Sequence, residues 1–519
     1  MQATQAIAPP RSIAALRREL LERLAELDFA APIAFAALGV GYIASRIVWL
    51  DHGYGTDPDA WRVALTARYL WLEGDYLPSR LPGYPLHELV TAALVGRHWL
   101  VAPWVWTNLS TVLISLAGVY LFARLARELA LPNRGVLTLG FAFAPLLWIN
   151  SAMTMDYMWA LTFMLGAYLA VIHKSPRLAG LVLGIAAGFR LTSLFLLVPF
   201  WLLLLRTGRR GEIRPLTTTA LAVTLVAYVP VLLDYGVNFL NFYDEPVPLA
   251  EFIKRLGKDG LGIVGALGLI VALLFSLPRL RRLPVDLVRD AHVLMWAAVI
   301  AVFFLSYTRL PHEIAYLIPL FPFGYFLLAR YLSRGVLIVT LAVIVLSGFV
   351  DITTPDDEIG LSASTFTSAR LGHGMLISDL DTLRNQMAFA RELREVTTTN
   401  PNFQTPAIVA AGFIYPALVV LYEDELEIGI LHDDVNAISQ LTDKGLARDE
   451  EHDIYYVWLL DLEDLQFFQN DNRRPYVTAD AERSTLSVYG YRPGYFGGIR
   501  LPLSRDNPSL GEGSASTDR

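Results

Sequence analysis

The stretch YGTDPDAWR, residues 54–62, lies just beyond a strongly apolar segment, and with Asp51 it sets three carboxylates, Asp51, Asp57 and Asp59, within nine residues. One acid at such a boundary is an ordinary solvated cap. Three, followed by arginines and aromatics, suit a site where a carboxylate takes a proton while guanidiniums hold an anion. Other residues break the apolar pattern downstream: Arg80, His87 and Glu88; Asn150 and Asp156; Arg190; Asp234, Asp244 and Glu245; Arg309, His312, Glu313 and Tyr316. Charge near hydrocarbon is expensive and usually has a task. Carboxylates, guanidiniums and an imidazole at one depth form the mixture that a transfer reaction at a membrane surface needs.

Each residue also has a plainer reading. Asp59 precedes or opens a helix starting near Pro58 or Ala60, so it is either an N-cap or a presented carboxylate. Asp156 caps a span, and Arg190 marks a helix end. Arg309 snorkels to headgroups, and Arg80 binds lipid phosphate from a loop. His312 and Glu313 follow Pro311 as first-turn residues, where negative charge is favoured. Tyr316 and the tryptophans at 99, 104 and 106 read as an interfacial belt. A divalent metal ion stays open as a cofactor: Asp57, Asp59 and Asp156 offer hard oxygens, while His87 and His312 would favour zinc. No ligand spacing demands either.

The elements that must position these residues belong to a membrane protein. Of 519 residues 54% are hydrophobic and only 18% charged, and the mean hydropathy is +0.43, which excludes disorder and an ordinary soluble domain. Runs near the roughly 20 residues needed to cross hydrocarbon fall at 31–50, 102–125, 135–150, 156–173, 177–189, 191–206, 216–234, 260–277, 290–307, 312–331 and 335–351. These are eleven spans, with 177–206 taken as two crossings rather than one kinked helix. Residues 1–30 read as a cytoplasmic amphipathic segment, with Ile13, Leu16, Leu20, Leu24 and Leu27 at helical spacing. With no signal-peptide pattern, the first span reads as a retained anchor. The short apolar run 85–97 reads as a helix half-buried in the outer leaflet.

Charge fixes the expected orientation. The connections ARLARELALPNRG, HKSPR, RTGRRGEIR, PRLRRLP and ARYLSRG are all basic, which places them and the N-terminus in the cytoplasm of an inner or plasma membrane. Residues 1–351 carry 29 Lys and Arg against 22 Asp and Glu, and residues 352–519 carry 13 against 27. An acidic, extracytoplasmic, soluble α/β domain is therefore expected over 352–504. TPAIVAAGFIYPALVVLYE reads as a short strand, a Gly turn and a helix, and DIYYVWLLD as a second buried strand, with helices around 379–396 and 433–446; a disordered tail over 505–519 follows. The loop 51–101 belongs to the membrane domain 31–351. Cysteine is absent, which excludes thiol chemistry. No phosphate-cradling glycine loop or internal repeat is present, and no nucleic-acid partner is expected.

DPDAWRVALTARYLWLEGDYLPSRLPGYPLHEL resembles the first outer loop of the GT-C superfamily of polyprenyl-phosphate-sugar-dependent glycosyltransferases. The similarity is closest to the branch holding the protein O-mannosyltransferases and the aminoarabinose transferase of lipid A. The resemblance sets Asp59 on the family's catalytic acid, counting back from Gly74-Asp75, with Asp57 second. SAMTMDYMWAL resembles the second acidic motif, carried by Asp156. RLPHEIAYLIPLFPF resembles the late motif, in which a basic residue and a Tyr precede a Pro-containing helix. The chain departs at Asp59-Ala60, where the family often has Asp-Glu, and at Ala315-Tyr316, where it often has Arg-Tyr, so Arg309 would replace that Arg.

The resemblance implies a GT-C-like polytopic fold and a sugar moved with inversion from a polyprenyl-phosphate donor to a hydroxyl of a glycan, lipid or protein acceptor. Arg309, Arg190 and His312 would stabilise the leaving phosphate, with Glu313, Asp156 and Arg80 lining the same donor site. Desolvation would raise the pKa of the Asp59 base. Two other classes compete: a transporter or lipid flippase, and a non-catalytic scaffold for the acidic domain. Against transport, the charges lie near the outer face rather than the midplane.

Overall fold

Proline starts many of these helices, because its missing N–H is unneeded in a first turn. Pro32–Leu50, Pro58–Glu73, Pro103–Glu128, Pro145–Asn150 and Pro176–Phe189 all begin this way. The computed structural model describes residues 22–74, 76–95, 102–237, 248–311, 313–353, 369–399, 401, 403–411, 414–422, 424–430, 445–457 and 474–477. Among these, Pro32–Leu50, Pro103–Glu128 and Ile314–Tyr331 are long and apolar enough to cross a membrane. Three bent pairs pass the same test jointly: Arg210–Ala227 with Val229–Tyr235 at 59°, Phe252–Leu261 with Ile263–Phe275 at 95°, and Leu277–Arg289 with Ala291–Tyr307 at 102°. The chain is an integral membrane protein, mostly helical. Helices fall on each of the expected apolar segments.

Two segments differ in detail from the expectation, and a third, 177–206, breaks where it was expected to. The run 135–150 is two helices, Arg134–Ala142 and Pro145–Asn150. Pro145 drives Ala144 to an extended ψ of 129°, as a proline does to the residue before it. The Ala142 carbonyl at the break accepts from Arg46 Nη2 at 2.7 Å. Arg46 is itself fully buried, with its guanidinium 3.6 Å from the Tyr42 ring centre and 4.4 Å from that of Trp148. The run 177–206 breaks at Arg190, whose extended backbone (φ −154°, ψ 111°) separates Pro176–Phe189 from Leu191–Arg206. The helix Pro85–Val95 turns His87, Glu88, Thr91, Ala92 and Val95 into the protein and leaves Leu89 exposed, so its inner face meets protein rather than lipid.

A glycine stripe delivers Arg190. Gly180, Gly184 and Gly188 recur every fourth residue, on one helix face. A Cβ on Gly180 would lie 2.4 Å from the Leu216 carbonyl, one on Gly184 2.6 Å from Val223 Cβ, and one on Gly188 2.5 Å from Leu86 Cδ1. Small residues let helix backbones approach closely where lipid gives no hydrophobic drive. The stripe therefore seats Pro176–Phe189 against Ile213–Ala227 and against the loop after the first span.

After Arg334–Ser347 the pattern changes. Strands β1 (Val350–Thr353) and β2 (Arg370–His373) pair antiparallel. The helix Met375–Thr399 precedes β3 (Ala407–Ala410), the helix Tyr415–Leu421, and strands β4 (Glu427–Ile430), β5 (Gly445–Asp449), β6 (Ile454–Val457) and β7 (Arg474–Val477). The sheet order is β4-β5-β6-β3-β7, with β3 parallel to β6 and β7 and the remaining pairs antiparallel. The expected helix 433–446 meets β5 at residues 445–446, while 431–444 and the tail 505–519 lie outside the described residues. This α/β part is no satellite. Tyr415–Leu421 packs on the loop helix Pro58–Glu73, and Trp61, Ala64 and Leu65 share one core with Tyr415, Ala417 and Leu418.

Candidate active site

Asp57, not Asp59, caps the loop helix. Its Oδ1 accepts the Asp59 backbone N–H at 2.9 Å, with Pro58 in the first helical position. Gly74 ends the helix in the left-handed region at φ 72°, where its N–H reaches the Leu70 carbonyl, a stop that glycine makes without a Cβ penalty. Capping by Asp57 leaves the Asp59 side chain free to face the site.

There it begins a chain of ion pairs. Asp59 Oδ1 meets Arg62 Nη1 at 3.0 Å, and its Oδ2 meets Arg80 Nε at 2.8 Å. Arg80 Nη2 reaches Asp156 Oδ1 at 3.2 Å, and Arg190 Nη1 reaches Asp156 Oδ2 at 2.7 Å. Asp156 is wholly buried and makes no cap bond, although it stands at the N-cap of Tyr157–Ile172. Four segments thus converge, from the loop helix, the loop 76–84, the start of one apolar helix and the end of another. Aromatic rings wall them: the Arg80 guanidinium lies 4.1 Å from the Tyr84 ring centre, and that of Arg190 lies 4.0 Å from Tyr157 and 4.4 Å from Tyr316. Arg80 Nη1 is buried and has no hydrogen-bond partner among the described residues.

The loop bearing Arg80 is shaped by a second, wholly buried carboxylate. Glu88 Oε1 accepts from Ser79 N at 2.8 Å, and Glu88 Oε2 accepts from Tyr84 N at 3.3 Å and from the Tyr76 hydroxyl. Such a turn with its polar groups satisfied holds the guanidinium between them in one place.

Glu313 completes the acidic side. Its Oε2 accepts from Tyr157 Oη at 3.2 Å, and carboxylate oxygens of Asp57, Asp59 and Glu313 lie within 4.8 Å of one another. Burial pushes the Asp57 carboxyl up, and the charges of Asp59 and Glu313 add to this. For Asp59 the outcome is opposite: burial works upward, but Arg80 and Arg62 outweigh it and hold the carboxyl below its usual range. This corrects the expectation that desolvation raises Asp59. Crowded carboxylates favour a shared proton or a divalent cation. Asp57, Asp59 and Glu313 are the hard-oxygen set that fits one, whereas Asp156, expected in that set, is taken by two guanidiniums. His87 is buried beside Trp159 and pushed down to about 4 by burial.

The structure therefore brings Asp57, Asp59, Arg80, Asp156, Arg190 and Glu313 together. Arg309 is exposed beyond the end of Ala291–Tyr307. His312, Asp244 and Glu245 lie outside the described residues. Sequence reasoning set Tyr316 in an interfacial belt, and it passed over Tyr84 and Tyr157. The Arg62 pair had a signal, since it stands three residues after Asp59 on one helix. The tyrosines had none that separates a wall from a belt.

No protein-family model matches the chain, and no curated protein matches it. Solved structures similar to the chain include two of one protein. The crystal structure of ArnT from Cupriavidus metallidurans bound to undecaprenyl phosphate shares 19% identity over 76% of this chain and 69% of that chain, with a TM-score of 0.38. The crystal structure of ArnT from the same organism in the apo state shares 17% identity over 75% and 69%, with a TM-score of 0.41.

Proposed function

We propose that the protein is a membrane glycosyltransferase that moves a sugar from a polyprenyl-phosphate donor to an acceptor hydroxyl at the outer face. The observation that carries the reading is the ion-pair chain Arg62–Asp59–Arg80–Asp156–Arg190, in which Arg80 keeps a buried donor nitrogen to spare beside a carboxylate. A guanidinium with a donor to spare suits a phosphate, which it grips with its planar fork. The donor class follows the resemblance of the motifs around Asp59, Asp156 and Glu313. The topology proposed with it has eleven spans, a cytoplasmic N-terminus, and the sheet-bearing part outside as a soluble face for a glycan, lipid or protein acceptor.

The chemistry balances with these groups. The acceptor oxygen attacks the anomeric carbon as its proton passes to a carboxylate, the bond from that carbon to the phosphate oxygen breaks, and polyprenyl phosphate leaves with the electron pair. One displacement inverts the anomeric centre through an oxocarbenium-like transition state. The donor phosphate competes with Asp59 for Arg80. Its arrival loosens the Asp59–Arg80 pair, which raises the proton affinity of Asp59 when a base is needed. Arg190 and Arg80 then oppose the growing negative charge of the leaving group in a low-dielectric site. Asp57, Asp59 and Glu313 would hold a divalent cation, which would supply further positive charge there.

The test incubates purified protein with a panel of polyprenyl-phosphate sugars and follows release of polyprenyl phosphate, with and without chelator. Release that Asp59→Asn abolishes supports the reading. Undiminished release by Asp59→Asn, or none by the wild type across the panel, overturns it.

A further inference from the structure

The helix Met375–Thr399 is tied to the C-terminal sheet toward one end and to the site's frame toward the other. Its inward face carries Leu376, Leu383, Met387, Ala390, Leu393, Arg394 and Thr397, all buried at helical spacing. Toward the C-terminal end, Arg394 binds Glu425 Oε2 at 2.8 Å and the buried Asp449, which ties the helix to the sheet. Fifteen residues earlier, about 22 Å along the axis, Asp379 faces the first loop. Its Oδ1 accepts from Thr56 Oγ1 at 2.7 Å and its Oδ2 from Trp49 Nε1 at 3.0 Å. Trp49 belongs to the last turn of Pro32–Leu50, and Thr56 immediately precedes the cap Asp57.

Between those anchors the chain is held almost atom by atom. The carbonyls of Gly53, Tyr54 and Gly55 accept from Asn108 Nδ2 at 2.8 Å, Thr154 N at 2.7 Å and Trp61 Nε1 at 2.9 Å. Trp61 Nε1 also reaches Gln386 Oε1 at 3.3 Å. Gly53 has φ 96°, and a Cβ there would lie 2.5 Å from the Trp61 ring and 3.2 Å from Met387 Sδ. These grips on residues 53–56 come from the membrane part, from the loop helix itself and from Met375–Thr399.

We propose that Met375–Thr399 sets the position of the acid-bearing segment, with Asp379 as the positioning residue that joins Thr56 to Trp49. The inference rests on the transferase reading above and adds that the C-terminal part governs the rate of transfer. Reacting groups must be held to a fraction of an ångström, and a 1 Å misplacement from a distant change costs on the order of 100-fold in rate. Loosening Thr56 therefore lowers turnover while leaving the donor-phosphate grip of Arg80 and Arg190 in place.

The test uses the full chain in detergent. Asp379→Ala is expected to lower kcat about 10- to 100-fold with donor KM changed less than about threefold, because the base is displaced while the contacts that bind the donor phosphate are untouched. Asp379→Asn, whose amide can accept from Trp49 and donate to Thr56, restores most of kcat. Thr56→Val matches Asp379→Ala, and the double variant is no slower than either single one. A second readout needs no turnover: backbone hydrogen exchange over residues 53–57 rises in Asp379→Ala but not in Asp379→Asn. Unchanged kcat in Asp379→Ala, losses that multiply in the double variant, or unchanged exchange over 53–57 overturns the inference. If the wild type transfers no sugar, the transferase reading fails, and exchange alone decides whether Asp379 holds the loop.

Discussion

Two buried charge networks, one at the candidate site and one in the C-terminal sheet, use the same residue types to opposite ends. In the sheet, Arg394 spends all three guanidinium nitrogens: Nη1 on Asp449 and on Tyr456 Oη at 3.3 Å, Nε and Nη2 on Glu425 Oε2 at 3.2 and 2.8 Å. Asp449 also accepts from the His452 backbone N–H at 3.1 Å and meets His452 Nδ1 at 2.9 Å. That network is closed. At the site, Arg80 keeps a buried nitrogen without a partner among the described residues, and three carboxylates crowd within 4.8 Å. A closed network returns its desolvation cost as rigidity, whereas an incomplete one keeps the cost until something binds. The difference separates a fastening from a site more sharply than burial or residue type does.

The comparison can be broken from either side. Asp59→Asn should have the largest effect, a loss of about 10²–10⁴-fold in kcat with normal expression and an unchanged melting curve. Arg80→Met should follow, at roughly 10²–10³-fold with a raised donor KM, read from initial rates over a range of donor concentrations. Arg394→Met should reverse the pattern. It takes from Asp449 its guanidinium partner and costs roughly 3–5 kcal/mol of stability, seen as a lower melting temperature, while molecules that remain folded keep most of their turnover. A saturated network that proved dispensable for stability would erase the distinction.

Smaller effects sharpen it. Glu313→Gln removes a charge that faces the Asp59 base and helps push Asp57 up, so the acid limb of the pH–rate profile should move to lower pH. Asp379 is pushed by burial to about 6, against the hydrogen bonds from Thr56 and Trp49. A carboxyl raised above its unfolded value stabilises the fold below about pH 4 and loses that contribution as pH rises through about 6. Asp379→Asn should therefore melt higher than the wild type at pH 8 and equally at pH 4.

Much of this was legible in the sequence, for a physical reason. Asp156, Arg190 and Glu313 interrupt or border apolar stretches, and Asp57, Asp59 and Arg80 stand in the loop that follows one; in a membrane protein such charges are conspicuous. The helices were legible for the same reason, since spans must be apolar over most of their length. The break at Phe143–Ala144 was signalled by Pro145 and still read as one span, because hydropathy continues across it. Asp379 was not legible. It lies in a polar helix where one more acid is unremarked, and its partner Thr56 is 323 residues away. Tyr84, Tyr157 and Tyr316 were equally silent, because an aromatic residue facing a guanidinium and one facing a headgroup look alike in one dimension.

The shared core of Trp61 with Tyr415 and Leu418 limits how this architecture can be recombined. Were the C-terminal part an appended cassette, a chimera carrying a foreign one would change only what the enzyme accepts. Here a transplant would have to bring counterparts of Asp379, Gln386 and the Tyr415–Leu421 face, or the graft would slow the chemistry along with altering its target. If the C-terminal part also meets the acceptor, as proposed, a change there would alter target and turnover together.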